Sequence, residues 1–188
     1  MIATPLDLLD LLDRSFGAVG ELIDQIRPDQ WSEATPCDAW AVRDVVTHLA
    51  GMNRVFAAIL TNSPLPEREP ISDDGLPSAY RSSSNGLLRV FAQAGVLERT
   101  YESPMGTTTG VERLSIRLYD LLAHGWDLAR ATGQATDFPD DATEHALAFA
   151  RKQMDGTGAP GRFAPAQPVA ADAPLMDRLA AHLGRRVT

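Results

Sequence analysis

Residues Val111 to Gly133 read VERLSIRLYDLLAHGWDLARATG, and this stretch decides the fold. Leu114, Leu118, Leu121, Leu122 and Leu128 recur at the spacing that lines one face of an α-helix, and Gly133 supplies the residue on which such a helix stops. The same period appears upstream. Val42, Val45, Val46, Leu49, Met52, Phe56 and Ile59 form the apolar face of a helix capped by Asp38 and ending near Thr61. Leu9, Leu12, Phe16, Val19, Ile23 and Ile26 form another, opened by Thr4 as cap, Pro5 and a first-turn Asp7, and stopped near Pro28.

Asn62 to Pro77 has no apolar period and is rich in Pro and charge, which predicts a solvated loop. A helix over Ser78 to Glu98 follows, apolar at Leu87, Val90, Phe91, Ala94 and Leu97 and weakened by its Ser82 to Gly86 run. Residues 99–110, with Pro104, Gly106 and three consecutive Thr, read as extended or looped. Downstream, a fifth helix starts at Pro139, Met154 to Pro174 wraps the surface, and Leu175 to Leu183 forms a short terminal helix. Long amphipathic helices without an alternating strand pattern predict an all-α fold, a four-helix bundle. One domain is expected over residues 1–188, its C-terminal extension from about residue 153 wrapping the bundle.

Twenty-five acidic residues against seventeen basic ones give a net charge of −8, and no stripe of Lys and Arg is present to neutralise phosphates. Nucleic acid is therefore excluded as a partner. Asp7, Asp10 and Asp13 stand where a secretory signal needs basic residues and then an apolar run, and no segment has the length of a membrane span. The lone Cys37 forms no internal disulfide, and together these features predict a cytoplasmic protein. An apolar helix face can be buried within the bundle or against a second copy, so a homodimer stays open.

Asp120 and His124 are four residues apart, so their side chains leave the same helix face one turn from each other. His48 sits mid-helix beside an apolar stripe, where an imidazole must find a partner or stay neutral. If the two helices are neighbours, all three groups converge. Two imidazoles and one carboxylate would leave coordination positions open, as in a catalytic metal site. The plainer reading is that a lone helical histidine is a satisfied core or surface residue, and that Asp44, four before His48, forms an ion pair with it or orients it. Spacing alone does not separate these readings.

The segment from Trp31 to Gly51, with Cys37-Asp-Ala-Trp40 and Thr47-His48-Leu49, and the segment Asp120-Leu-Leu-Ala-His124-Gly-Trp-Asp to Gly133 resemble the two signature blocks of the DinB/YfiT-like superfamily. More narrowly, they resemble the metal-binding domain of mycothiol-dependent maleylpyruvate isomerase and its stand-alone actinobacterial relatives, and the tail around Phe163 and Asp177 is similar too. The resemblance implies a divalent metal, zinc before nickel, cobalt or iron, held by His48, Asp120 and His124. The acid in the isomerase is a Glu, whereas this chain has the shorter Asp120.

The resemblance further implies that the metal activates a low-molecular-weight thiol such as mycothiol, in a transferase- or isomerase-like reaction on a small-molecule electrophile. The isomerase carries a further domain after its bundle, and this chain ends at Thr188, so isomerisation of maleylpyruvate itself is not the expected activity. The alternatives are a hydrolase in which the metal activates water, with Asp44 or Asp127 as candidate base, and a non-enzymatic metal- or small-molecule-binding protein. Asp127 reads equally as an ion-pair partner for Arg130 or Arg113. Trp31, Trp40 and Trp126 read as packing, Cys37 as a small buried hydrophobe without a catalytic role, and His145 and His182 as solvated.

Overall fold

Helices carry almost all the regular structure among the described residues. The computed structural model describes residues 5–37, 39–67, 70–102, 106–154 and 163–187. The order is α1 (Pro5–Asp24), α2 (Val42–Thr61), α3 (Leu76–Phe91), β1 (Thr100–Tyr101), β2 (Thr108–Thr109), α4 (Gly110–Thr132), α5 (Asp140–Gln153) and α6 (Leu175–His182). β1 and β2 pair antiparallel, Thr100 opposite Thr109, in the segment whose composition predicts extended or looped chain. The all-α expectation is met. No helix among the described residues is long and apolar enough to cross a membrane.

The core is aliphatic. Leu12, Val19 and Ile23 of α1, Val45, Val46 and Leu49 of α2, Leu87 and Phe91 of α3, and Leu114, Leu118, Leu121, Leu122 and Leu128 of α4 are all buried in one cluster. α4 touches α1, α2, α5 and α6. Enclosed on so many sides, it also buries Arg113, Arg117, His124 and Asp127, and each of these polar groups needs a partner to offset its lost hydration.

Helix ends explain where boundaries differ from the sequence reading. α4 begins at a capping box in which Thr109 Oγ1 accepts from the Glu112 N–H and Glu112 accepts from the Thr109 N–H at 2.7 Å. It stops on Gly133, whose φ of 70° lies in the left-handed region. α3 ends at Phe91 rather than Glu98, and the following turns pass through Gly95 at φ 77°. Thr4 and Asp38, read as caps, lie outside the described residues. α2 starts instead at Val42, with the Asp44 carboxylate accepting the Ala41 N–H at 2.9 Å.

Within the C-terminal segment, residues 163–187 lie on the bundle. Gln167 N–H donates to the Ala181 carbonyl at 2.8 Å, and α6 packs on α4 and α5. Trp126 of α4 donates its Nε1–H to Asp177 of α6 at 2.8 Å. The two histidines read as solvated are both partly buried: His145 Nε2 lies 3.0 Å from Ser115 Oγ, and the His182 Nε2 is buried. The sequence reading failed there because α5 and α6 pack against the rest of the bundle, and His145 meets Ser115 of α4.

Candidate metal centre

α2 and α4 are neighbours, and their contact brings together the three residues selected by spacing. Asp120 Oδ1 lies 3.5 Å from His48 Nε2 and 3.6 Å from His124 Nε2. One donor atom from each residue falls within 4.8 Å of the other two. The rings of His48 and His124 meet edge to face with centroids 4.8 Å apart. His124 is nearly enclosed, and His48 and Asp120 keep 25% and 15% of their side chains exposed, so the cluster opens toward solvent on the His48 side.

Each member is held by groups that the spacing rule does not reveal. Arg117, fully buried one turn before Asp120, donates to Asp120 Oδ2 at 2.8 Å, to Asn53 Oδ1 at 2.7 Å and to the Leu49 carbonyl at 3.2 Å. Asn53 in turn donates to Ser83 and Ser84 of α3. One carboxylate oxygen is thus occupied by the guanidinium, and Oδ1 is left facing the two imidazoles. Burial alone would raise the Asp120 carboxyl, but the hydrogen bond to His48 and the charges of His124, His48 and Arg117 hold it below the usual carboxylate range.

His124 is oriented from the opposite side. Its Nδ1 lies 3.0 Å from Asp127 Oδ2 and 3.5 Å from an Arg185 nitrogen. A carboxylate can only accept and a guanidinium can only donate, so the shorter contact assigns the proton to Nδ1 and leaves the Nε2 lone pair pointing at Asp120. Burial lowers the His124 imidazole against the pull of Asp127 and Asp120, which favours the neutral form that ligates metals. Asp127 pairs with neither Arg130 nor Arg113. Arg185, near the end of the chain, grips both of its oxygens, at 2.7 Å and 3.2 Å. A carboxylate behind a histidine is the usual way a protein fixes the tautomer and aim of a metal ligand.

Two further side chains reach the cluster, and the sequence reading gave them only packing roles. Before α2, Ala34 is bridged to Ala41, and Thr35 is bonded to both Cys37 and Trp40. Ala39 takes φ 67°, a left-handed conformation that a residue with a Cβ adopts at some cost. The turn lays the Trp40 ring against His48, centroids 4.8 Å apart, and stacks it on His124 at 5.5 Å. It also brings Cys37 Sγ within 4.8 Å of a His124 nitrogen and an Asp127 oxygen. Asp44, weighed as an orienting partner for His48, is the acceptor at the start of α2 instead. Trp31 and Trp126 are buried, as packing predicts.

A cavity of about 530 Å³ opens beside His48. One wall is the outer face of α2, including Thr47, Gly51, Met52 and Arg54, and Trp40 and Ile71 close its sides. Its size is that of a small-molecule site.

Residues 12–129 match the family model described as the mycothiol maleylpyruvate isomerase N-terminal domain. Two uncharacterized proteins from strains of Mycobacterium tuberculosis are each 34% identical over 186 residues, covering 97% of this chain and 100% of their own. The crystal structure of a mycothiol-dependent maleylpyruvate isomerase superposes with a TM-score of 0.65 at 15% identity, over 82% of this chain and 72% of that one. A histidine-to-alanine mutant of the isomerase superposes at 0.67 with the same coverage. At that identity the superposition speaks for the shared DinB-like bundle, and the matched stretch of sequence speaks for descent. The chain belongs to the family of the mycothiol maleylpyruvate isomerase N-terminal domain.

Proposed function

We propose that this protein is a metal-dependent thiol enzyme, in which His48, Asp120 and His124 hold one divalent ion and mycothiol or a similar small thiol reacts with an electrophile beside it. The observation that carries the reading is the convergence of three donor atoms within 4.8 Å, one already aimed by Asp127. Neutral imidazoles and a carboxylate suit zinc first, with nickel, cobalt and iron accepted by the same set. An ion held there supplies Lewis acidity, which lowers the pKa of a bound thiol into the neutral range.

The chain's own residues have separate tasks. His48 Nε2 and His124 Nε2 donate lone pairs, and Asp120 Oδ1 adds the negative charge that offsets the ion. Arg117 keeps Asp120 from swinging away by holding Oδ2. Trp40 covers the imidazoles on one side and limits the approach of water. The cavity beside His48 receives the substrates. The hydrolytic alternative has less behind it: Asp44 Oδ2 is engaged at the start of α2, and Asp127 is taken by His124 and Arg185. Family kinship favours the thiol for the same site, as the isomerase named above is mycothiol-dependent. The reading also makes residues 163–187 part of the same domain as the bundle, since Arg185 completes the support of His124. A reducing cytoplasm is the compartment that suits it.

Cobalt substitution tests the thiol directly. Adding mycothiol to the cobalt-loaded protein should produce a sulfur-to-metal charge-transfer band, and His124→Ala should abolish it. A protein that takes up cobalt and shows no band with mycothiol overturns the thiol role, and one that takes up no cobalt overturns the metal.

A further inference from the structure

We infer that the cavity beside His48 selects an elongated small molecule with an anionic group, which Arg54 binds while the molecule's reacting end lies at the His48–Asp120–His124 cluster. Placing the reacting end there rests on the function proposed above; the preference for an anion does not.

The argument starts from the face of α2. Thr47, Gly51 and Arg54 form one row at helical spacing, and His48 and Met52 begin the row beside it, all lining the cavity. Arg54 is partly buried, yet no described acceptor bonds or ion-pairs with its guanidinium. The interior arginines behave differently: Arg113 donates to the Tyr101 carbonyl, Arg117 to Asp120 and Arg185 to Asp127. A planar group with five N–H donors, half removed from water on the wall of a cavity and left without a protein acceptor, is built to receive a carboxylate or similar anion. The two acids on the same cavity do not compensate it. Asp44 accepts from Ala41, and Glu67 is exposed.

Gly51 supplies the room. In the interior of a 20-residue helix, Ala would be the more favourable residue. A Cβ built at Gly51 meets nothing within 4 Å, so close packing does not demand the glycine there. Its bare backbone instead forms the floor of the cavity between His48 and Arg54. Those two residues are six positions apart, about 9 Å along the helix axis. A ligand that joins them must be long enough to bridge that separation.

Calorimetry of the zinc-loaded protein with ω-mercaptoalkanoates of increasing chain length, each against the amide of the same length, tests the inference. The carboxylate should bind at least about ten-fold more tightly than the amide, as one charge-assisted hydrogen bond implies. The preference should peak at on the order of six to eight methylenes, set by the spacing along the helix. Arg54→Gln should remove the preference and Arg54→Lys restore part of it. Gly51→Leu, whose side chain enters open space, should weaken both ligands while metal content stays unchanged. Equal affinity for acid and amide at every length in the wild type, or a preference that survives Arg54→Gln, overturns the inference. Alkanoates without sulfur that bind as tightly as the mercapto acids, with the Arg54-dependent preference intact, support the anion site and overturn the placement of a thiol at the cluster.

Discussion

Protein purified without added metal is expected to carry close to one transition-metal ion per chain, and His48→Ala and His124→Ala to carry almost none. The expectation follows from geometry: Asp120 Oδ1 is within 3.6 Å of both imidazole Nε2 atoms, and loss of either ring leaves a two-donor site that competes poorly with water. The effect should be graded along the support behind the ligands. Asp127→Asn keeps the volume but weakens the hold on His124 Nδ1, and an outer partner of this kind is worth about 10–100-fold in metal affinity. Direct ligand loss should exceed that range. Elemental analysis of the purified variants, with competition against a chromogenic chelator for affinity, measures the series. Helical circular dichroism unchanged from wild type shows that the fold survives each substitution. Equally low metal in wild type and both histidine variants would remove the metal from the account.

The second large effect is on stability. Arg185→Met should lower the unfolding free energy by about 3–5 kcal/mol, because it strands the fully buried Asp127 carboxylate without its cation. For a chain of this size that corresponds to a fall of roughly 10 °C in the melting midpoint. The double variant Asp127→Asn with Arg185→Met should recover much of the loss, since neither charge is then buried alone. Denaturant titration of wild type, both single variants and the double variant gives the coupling. A loss under about 1 kcal/mol in Arg185→Met would mean that water reaches Asp127 and that the tail is not fastened through this pair.

The helices were legible because their signals are local. Apolar residues at helical spacing marked α1, α2 and α4, Gly133 marked the end of α4, and the same period placed Asp120 and His124 on one face. The Thr109 to Glu112 capping box was equally visible and would have set the start of α4 correctly. The groups that support the cluster carry no such signal. Arg117 reaches Asn53 across 64 positions, and Arg185 reaches Asp127 across 58, so only packing reveals them. Trp40 read as packing because nothing in its neighbours announces a left-handed Ala39 that turns the ring onto two imidazoles. His145 and His182 read as solvated because the residues around them are polar or small, whereas the packing of α5 and α6 partly buries both. Burial of a helix face depends on what packs against it, and sequence period alone does not name the neighbour.

The ring of Trp40 against both imidazoles has a practical consequence. Of the three tryptophans, Trp40 is the one whose ring packs on both imidazoles, whereas Trp31 lies in the aliphatic core and Trp126 is tied to Asp177. The protein therefore carries its own optical reporter. The emission of the indole in contact with both imidazoles is coupled to whatever occupies the space between them, and a paramagnetic ion there would darken it.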